Sequence, residues 1–301
     1  MSKQLTNKIL MVRPANFGFN QQTAASNSFQ QQDGDSINTN TLAIAEFDRM
    51  VNQLQVNGIQ VIVIQDLDHI KLPDAVFPNN WFSTHEAGVI YTYPMYAPIR
   101  RQERREDILS ILEKEFHFSK RYSLEILEKD HQFLEGTGSM VLDRVHKIAY
   151  ACLSPRTDIR ALDTFAMLSH YKIVHFIAKD RSGAPIYHTN VLMAMGQDFV
   201  ICCLEAVQVE HREILRKSFE ETHKTLIEIN YQQMEQFAGN MLELINKDHE
   251  RILVMSESAF QSLNNTQIEA LKSRTKLLPI SIPTIEKVGG GSTRCMMAEI
   301  Y

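Results

Sequence analysis

With 301 residues, 44% hydrophobic and 22% charged, the chain can bury a substantial core, and its composition excludes a disordered or fibrous protein. A net charge of −5 argues against a polyanion-binding surface, and the basic run Arg100-Arg101-Gln102-Glu103-Arg104-Arg105 is interrupted by acid, so no nucleic-acid partner is expected. No apolar stretch approaches the ~18 residues that span a bilayer, which leaves no membrane partner. The four cysteines (Cys152, Cys202, Cys203, Cys295) lack CxxC spacing and read as free thiols of a cytoplasmic protein, and no His/Cys cluster predicts a metal or other cofactor.

Taken in chain order, strand-like runs at Ile9–Val12, Gln60–Ile64, Val89–Tyr93, Lys147–Leu153, Lys172–Ile177, Phe199–Leu204, Ile252–Met255 and Cys295–Ile300 alternate with helical stretches. A helix is predicted from Thr41 to about Asn57: Ala43, Phe47, Met50, Val51 and Leu54 recur at helical spacing, Thr41 can cap it and Gly58 ends it. Further helices are expected over 100–116, 158–171, 207–224, 234–246 and 266–273, and the polar stretch 18–40 reads as a long loop or lid. The repeating unit is a strand pair, a helix and another strand over roughly 50 to 60 residues, which implies an α/β protein with internal repetition. No linker interrupts it, so residues 1–301 are expected to form one domain.

Chemistry-bearing residues gather where polar and glycine residues press against apolar runs. These segments are Phe77-Pro78-Asn79-Asn80-Trp81-Phe82-Ser83-Thr84-His85, Leu134-Glu135-Gly136-Thr137-Gly138-Ser139-Met140, Tyr187-His188-Thr189-Asn190-Val191 and the C-terminal Gly289-Gly290-Gly291-Ser292-Thr293-Arg294-Cys295. Cys295 stands behind a glycine run at the start of an apolar tail. A thiol with an ordinary pKa near ~8.5 is mostly protonated at neutral pH and needs a histidine or a positive field to become a nucleophile. A histidine in turn needs a carboxylate to fix its tautomer. His188 and Glu135 are the candidates.

The order Glu-Gly-x-Gly, then His-x-Asn, then a glycine loop ending in Cys resembles the guanidine-modifying, amidinotransferase-like superfamily (the penteins), from about Met11 to Tyr301. The resemblance implies a five-bladed α/β propeller with quasi-fivefold strand-strand-helix-strand repeats around a central site. It implies Cys295 as nucleophile, His188 as general acid/base and Glu135 as the carboxylate orienting His188. Leu153-Ser154-Pro155-Arg156-Thr157 matches an element whose arginine holds the substrate carboxylate, and the loop Pro94–Arg101 supplies Arg100 and Arg101 as second contacts.

Departures from the pattern bear on the substrate. Deiminases of this superfamily place aspartates in Phe-x-Arg-Asp and His-x-Asp to clamp a guanidinium; here the segments read Phe77-Pro78-Asn79-Asn80 and His188-Thr189-Asn190. An ionised carboxylate cannot donate to a carbonyl oxygen, whereas an amide both donates and accepts. Asn80 and Asn190, with Asn79 beside them, therefore suit a neutral ureido group, and Asn79–His85 resembles the citrulline utilisation hydrolases. The expectation is a small-molecule hydrolase that takes citrulline to ornithine, ammonia and carbon dioxide through an S-carbamoyl intermediate. An arginine-type deiminase or amidinotransferase, and a catalytically silent binding member, stand as alternatives; an oligomer is possible.

Overall fold

The computed structural model describes residues 3–32 and 36–301. Its strands form five three-stranded sheets built on one recipe. Each has a short inner strand antiparallel to a middle strand, followed by an outer strand parallel to the middle one. The last four sheets take consecutive segments: 82–123, 141–176, 193–228 and 242–280. In the first sheet, Lys8–Arg13 pairs in parallel with Gln60–Gln65, and its inner strand, Ala298–Glu299, comes from the far end of the sequence. That strand neighbours Phe82–His85, while Val141–Asp143, Met193–Met195 and Leu242–Ile245 lie side by side in succession. The quasi-fivefold α/β repeat expected from the sequence is present.

Parallel pairing requires a crossover, and helices supply it. Ser36–Val56 crosses over the first sheet, Glu106–Glu115 the second, Ile159–Ser169 the third, Val209–Glu221 the fourth, and Glu257–Ser262 with Asn265–Lys272 the fifth. The first of these buries Ala43, Phe47, Met50 and Leu54 completely against Ile9, Met11 and Val254, as their spacing predicts, and Gly58 ends the chain's turn at φ +82°. Middle strands such as Ile148–Cys152 and Phe199–Cys202 are buried at every position, which is why they read as unbroken apolar runs rather than alternating ones.

Several boundaries differ from the sequence reading. The first helix is already formed at Ser36, and Gln21–Ala24 is a short helix within the stretch expected to be loop; part of that stretch, 33–35, lies outside the described residues. Arg104 and Arg105 adopt extended backbone, so the expected helix over 100–116 divides into a 3-10 turn, Pro98–Glu103, and Glu106–Glu115. The expected helix over 234–246 stops after Glu235, because Leu242–Ile245 gains a full ladder with Arg251–Ser256. Likewise only Ala298–Glu299 of the expected strand over 295–300 pairs; residues 293–296 form a turn.

Candidate active site

Each inner strand is entered through a tight turn or a single helical turn, and these five entries carry the site. They are Pro78–Asn80, Gly136–Ser139, Thr189–Leu192 and the turns over 236–239 and 293–296. They bring together Asn79 and Asn80, Glu135, His188 and Asn190, Asn240, and Cys295, all buried. The glycines of the Glu135-Gly136-Thr137-Gly138 segment make the approach possible. Gly136 turns at φ +48°, and a Cβ there would lie 2.4 Å from Asn79 O. A Cβ on Gly138 would lie 2.4 Å from Asn80 Nδ2 and 2.7 Å from His188 Nδ1.

His188 Nε2 donates to Glu135 Oε2 at 2.8 Å, which fixes the tautomer because an ionised carboxylate only accepts. Glu135 Oε1 accepts the Tyr96 N–H at 3.0 Å, and Arg156 Nη1 and Arg100 Nη1 lie 3.5 and 3.8 Å from Oε2. Burial alone would push the Glu135 carboxyl up; Arg156, the bond to His188 and Arg100 outweigh it and hold the group well below the usual carboxylate range. Burial drives His188 down to about 4, against the pull of Glu135 and with the two arginines adding to the decrease. The imidazole is therefore neutral at pH 7. Its C–H resonances should titrate near 4 in NMR, and a midpoint at 6.5 or above would contradict the burial described. The unfolded chain takes up this proton near ~6.5, so the stabilisation carried by neutral His188 is complete above 6.5 and is lost as the pH falls towards 4.

Two amides point at the thiol. Asn240 Nδ2 lies 3.2 Å and Asn190 Nδ2 3.4 Å from Cys295 Sγ. Asn240 is fixed in turn: its Nδ2 also donates to Asn190 O at 2.9 Å, and its Oδ1 accepts the Arg294 N–H at 3.1 Å. Asn190 Oδ1 is buried and unpartnered. Such an acceptor is costly unless a ligand fills it. The other three cysteines are pushed up by burial, Cys152 to about 12, Cys203 to about 11 and Cys202 well above the ordinary value. Iodoacetamide should therefore label Cys295 first, as read by mass spectrometry; earlier labelling of any of the other three would count against a nucleophilic Cys295.

The arginines sit differently from one another. Arg100 is 2% exposed, with Nε and Nη2 on Glu103 at 2.9 Å and Nη1 donating to Asn80 Oδ1 at 2.8 Å. Arg156 lies over the Tyr187 ring and donates to Ser26 Oγ and Thr23 O, at 2.7 and 3.0 Å. Arg101 is partly exposed; its Nε donates to Met95 O and its guanidinium faces the Phe133 ring. Across the site runs the strap from Asn20 to Gln31, part of the stretch read as a lid. It is tied to Arg156, to Asp74 through Asn20 and Thr23, and to Gly290 O through Asn27. Asp74 and Asn240 were not among the residues singled out from sequence. Asp74 is buried with Oδ1 unpartnered. Asn240 was legible only through the repeat, as the fifth residue to stand where an inner strand begins.

Similar folds occur among solved structures. The N-terminal domain of ArgZ, bound covalently to a reaction intermediate, matches with a TM-score of 0.77 at 16% identity, covering 98% of this chain and 97% of that one. ArgZ is described as an arginine dihydrolase of the ornithine-ammonia cycle in cyanobacteria. Unliganded AgrE matches with a TM-score of 0.77 at 16% identity over 98% of this chain and 39% of its own. A dimethylarginine dimethylaminohydrolase adduct with 4-chloro-2-hydroxymethylpyridine gives 0.66 at 14% identity, covering 98% and 99%. No curated protein matches. Residues 13–301 match the family described as N,N dimethylarginine dimethylhydrolase, eukaryotic, and the chain belongs to that family of enzymes acting on C–N bonds, within the guanidino-modifying pentein superfamily.

Proposed function

We propose that the protein is a cysteine-dependent hydrolase of a ureido amino acid, citrulline first. One observation carries the choice of a neutral group: Arg100 Nη1 donates to Asn80 Oδ1, which fixes the amide with its NH2 turned away from Arg100; one N–H of that NH2 donates to Asn79 Oδ1 at 3.1 Å and the other is left for a ligand. A guanidinium has no acceptor to offer that NH2. A ureido group has a carbonyl oxygen for it, and its own NH2 can donate to the unpartnered Asn190 Oδ1. In the reaction, neutral His188 takes the Cys295 proton and the thiolate attacks the ureido carbon. His188 then protonates the nitrogen that leaves with ornithine, and the C–N bond breaks to give an S-carbamoyl enzyme. Water attacks this S-carbamoyl group as His188 takes its proton, the C–S bond breaks, His188 returns the proton to the Cys295 sulfur, and carbamic acid departs to decay into ammonia and carbon dioxide. Asn80 opposes the charge developing on oxygen, and Glu135 stabilises the imidazolium. Arg156 and Arg101 hold the α-carboxylate, which takes over the fork now occupied by Ser26 and Thr23, and Asp74 meets the α-ammonium. Arg100 acts through Asn80.

A second reading has one observation in its favour. The unpartnered Asp74 Oδ1 is an anion that a guanidinium can meet, and ArgZ is named an arginine dihydrolase. Hydrolysis of arginine gives citrulline, and a second hydrolysis gives ornithine, so one site can serve both steps. The test between them is calorimetric, on the Cys295→Ser background, with Asn80→Asp and Asn190→Asp introduced together. Two carboxylates repel the ureido oxygen and attract guanidinium, so preference should move towards arginine by at least tenfold, ~1.4 kcal/mol. If the protein with both asparagines intact already binds arginine more tightly, the amide argument falls and the arginine reading leads.

A further inference from the structure

The inner strand Phe82–His85 starts beside Asn80 and ends in the turn Glu86–Gly88; Val141–Asp143 starts beyond Glu135 and ends in the turn Arg144–Lys147. These turns therefore lie at the far ends of the inner strands, a strand's length or ~10–13 Å from the candidate active site at ~3.3 Å per residue. A cavity of about 240 Å³ lies there. Among the described residues its lining has four cations, Lys3, Lys120, Arg144 and Lys147, and one acid, Glu86, already accepting the Lys3 backbone N–H at 2.8 Å. An adjoining cavity of about 950 Å³ shares Lys3 and Glu86 and adds Lys8, Lys247 and Arg251 with no further acid among the described residues.

The charge of −5 belongs to the whole chain; this recess has the opposite sign. Lys3, Lys120 and Lys147 have no ion-pair partner in side-chain contact among the described residues, so their charge is not locally cancelled. Arg144, by contrast, is built in. It is 5% exposed, it stacks 3.9 Å over the Tyr301 ring, its Nη1 donates to Thr84 O, and its Nη2 lies 3.5 Å from Glu299 Oε2. His85, buried at the same wall, is held well below its usual value by burial and then by Arg144 and Lys147, as expected in a positive field.

We propose that this recess is a binding site for a small phosphate-bearing anion, separate from the candidate active site. Several ammonium groups that share a cavity lining with one fixed guanidinium suit a compact polyanion, and the tyrosine rings at 91, 122, 171 and 301 can flank an attached aromatic group. The recess holds a ligand of metabolite size. The proposal does not depend on citrulline hydrolysis, because its test reads binding alone.

The test is isothermal titration of the whole chain with pyrophosphate and with adenosine 5′-monophosphate, in low and raised sodium chloride. Saturable 1:1 binding of either should appear, weaken with salt and fall at least tenfold in the Lys120→Glu/Lys147→Glu variant. Arg101→Gln, which alters the candidate active site, should leave it intact. No saturable binding of either probe would overturn the proposal. So would equal affinity in the double-lysine variant, loss in Arg101→Gln instead, or binding confined to oligonucleotides with affinity that grows with their length.

Discussion

Cys295→Ser should lower turnover by on the order of 10³-fold or more while the protein stays folded and keeps its ligand. The thiol receives N–H groups from Asn240 and Asn190 at 3.2 and 3.4 Å, which hold the sulfur in place for attack. A hydroxyl in the same place is a far weaker acid and will not ionise beside a histidine whose pKa lies near 4. The substitution replaces the sulfur with a smaller oxygen to which Asn190 and Asn240 can still donate, and it leaves Asn80 and Arg156 untouched, so ligand affinity should change little. Ornithine release measured at saturating substrate checks the claim. Activity within tenfold of the unaltered protein would remove Cys295 from the mechanism.

Glu135→Gln should lower kcat by roughly 10²–10⁴-fold, the range typical of acid/base machinery. Glu135 raises the His188 pKa, while Arg156 and Arg100 lower it. Without the carboxylate the imidazolium that must protonate the departing amine is left facing two arginines. The same change strips a buried counterion from both guanidinium groups, and breaking a buried pair typically costs ~3–5 kcal/mol. Thermal stability should therefore fall together with kcat. Glu135→Asp keeps the charge and separates the two effects, since stability should recover further than activity, which depends on the 2.8 Å contact with His188. An unchanged kcat with only KM raised would make Glu135 a substrate ligand.

Much of this was legible in the sequence because reactive groups need unusual surroundings. Cys295, His188 and Glu135 each adjoin glycine or polar residues at the edge of an apolar run, and the structure places Glu135 against His188 and two amides against Cys295. Asn240 escaped because Phe237-Ala238-Gly239-Asn240 contains no nucleophile or base and falls within a stretch whose spacing reads as helix. The inner strands Val141–Asp143 and Met193–Met195 escaped for another reason: they are too short to show alternation, and pairing with a longer middle strand alone makes them strands. The bracing of Asn80 by Arg100 was likewise out of reach, since it joins side chains twenty residues apart through a shared burial. The basic recess was hidden by a net charge that sums over the whole surface.

The most direct measurement is a side-by-side turnover assay of the unaltered protein on citrulline and on arginine, following ornithine, citrulline and ammonia. The arrangement of Asn80 and Asn190 predicts that citrulline is converted to ornithine and ammonia in equal amounts, with a higher kcat/KM than arginine. Conversion of arginine to citrulline that stops there, with citrulline itself untouched, would contradict the account.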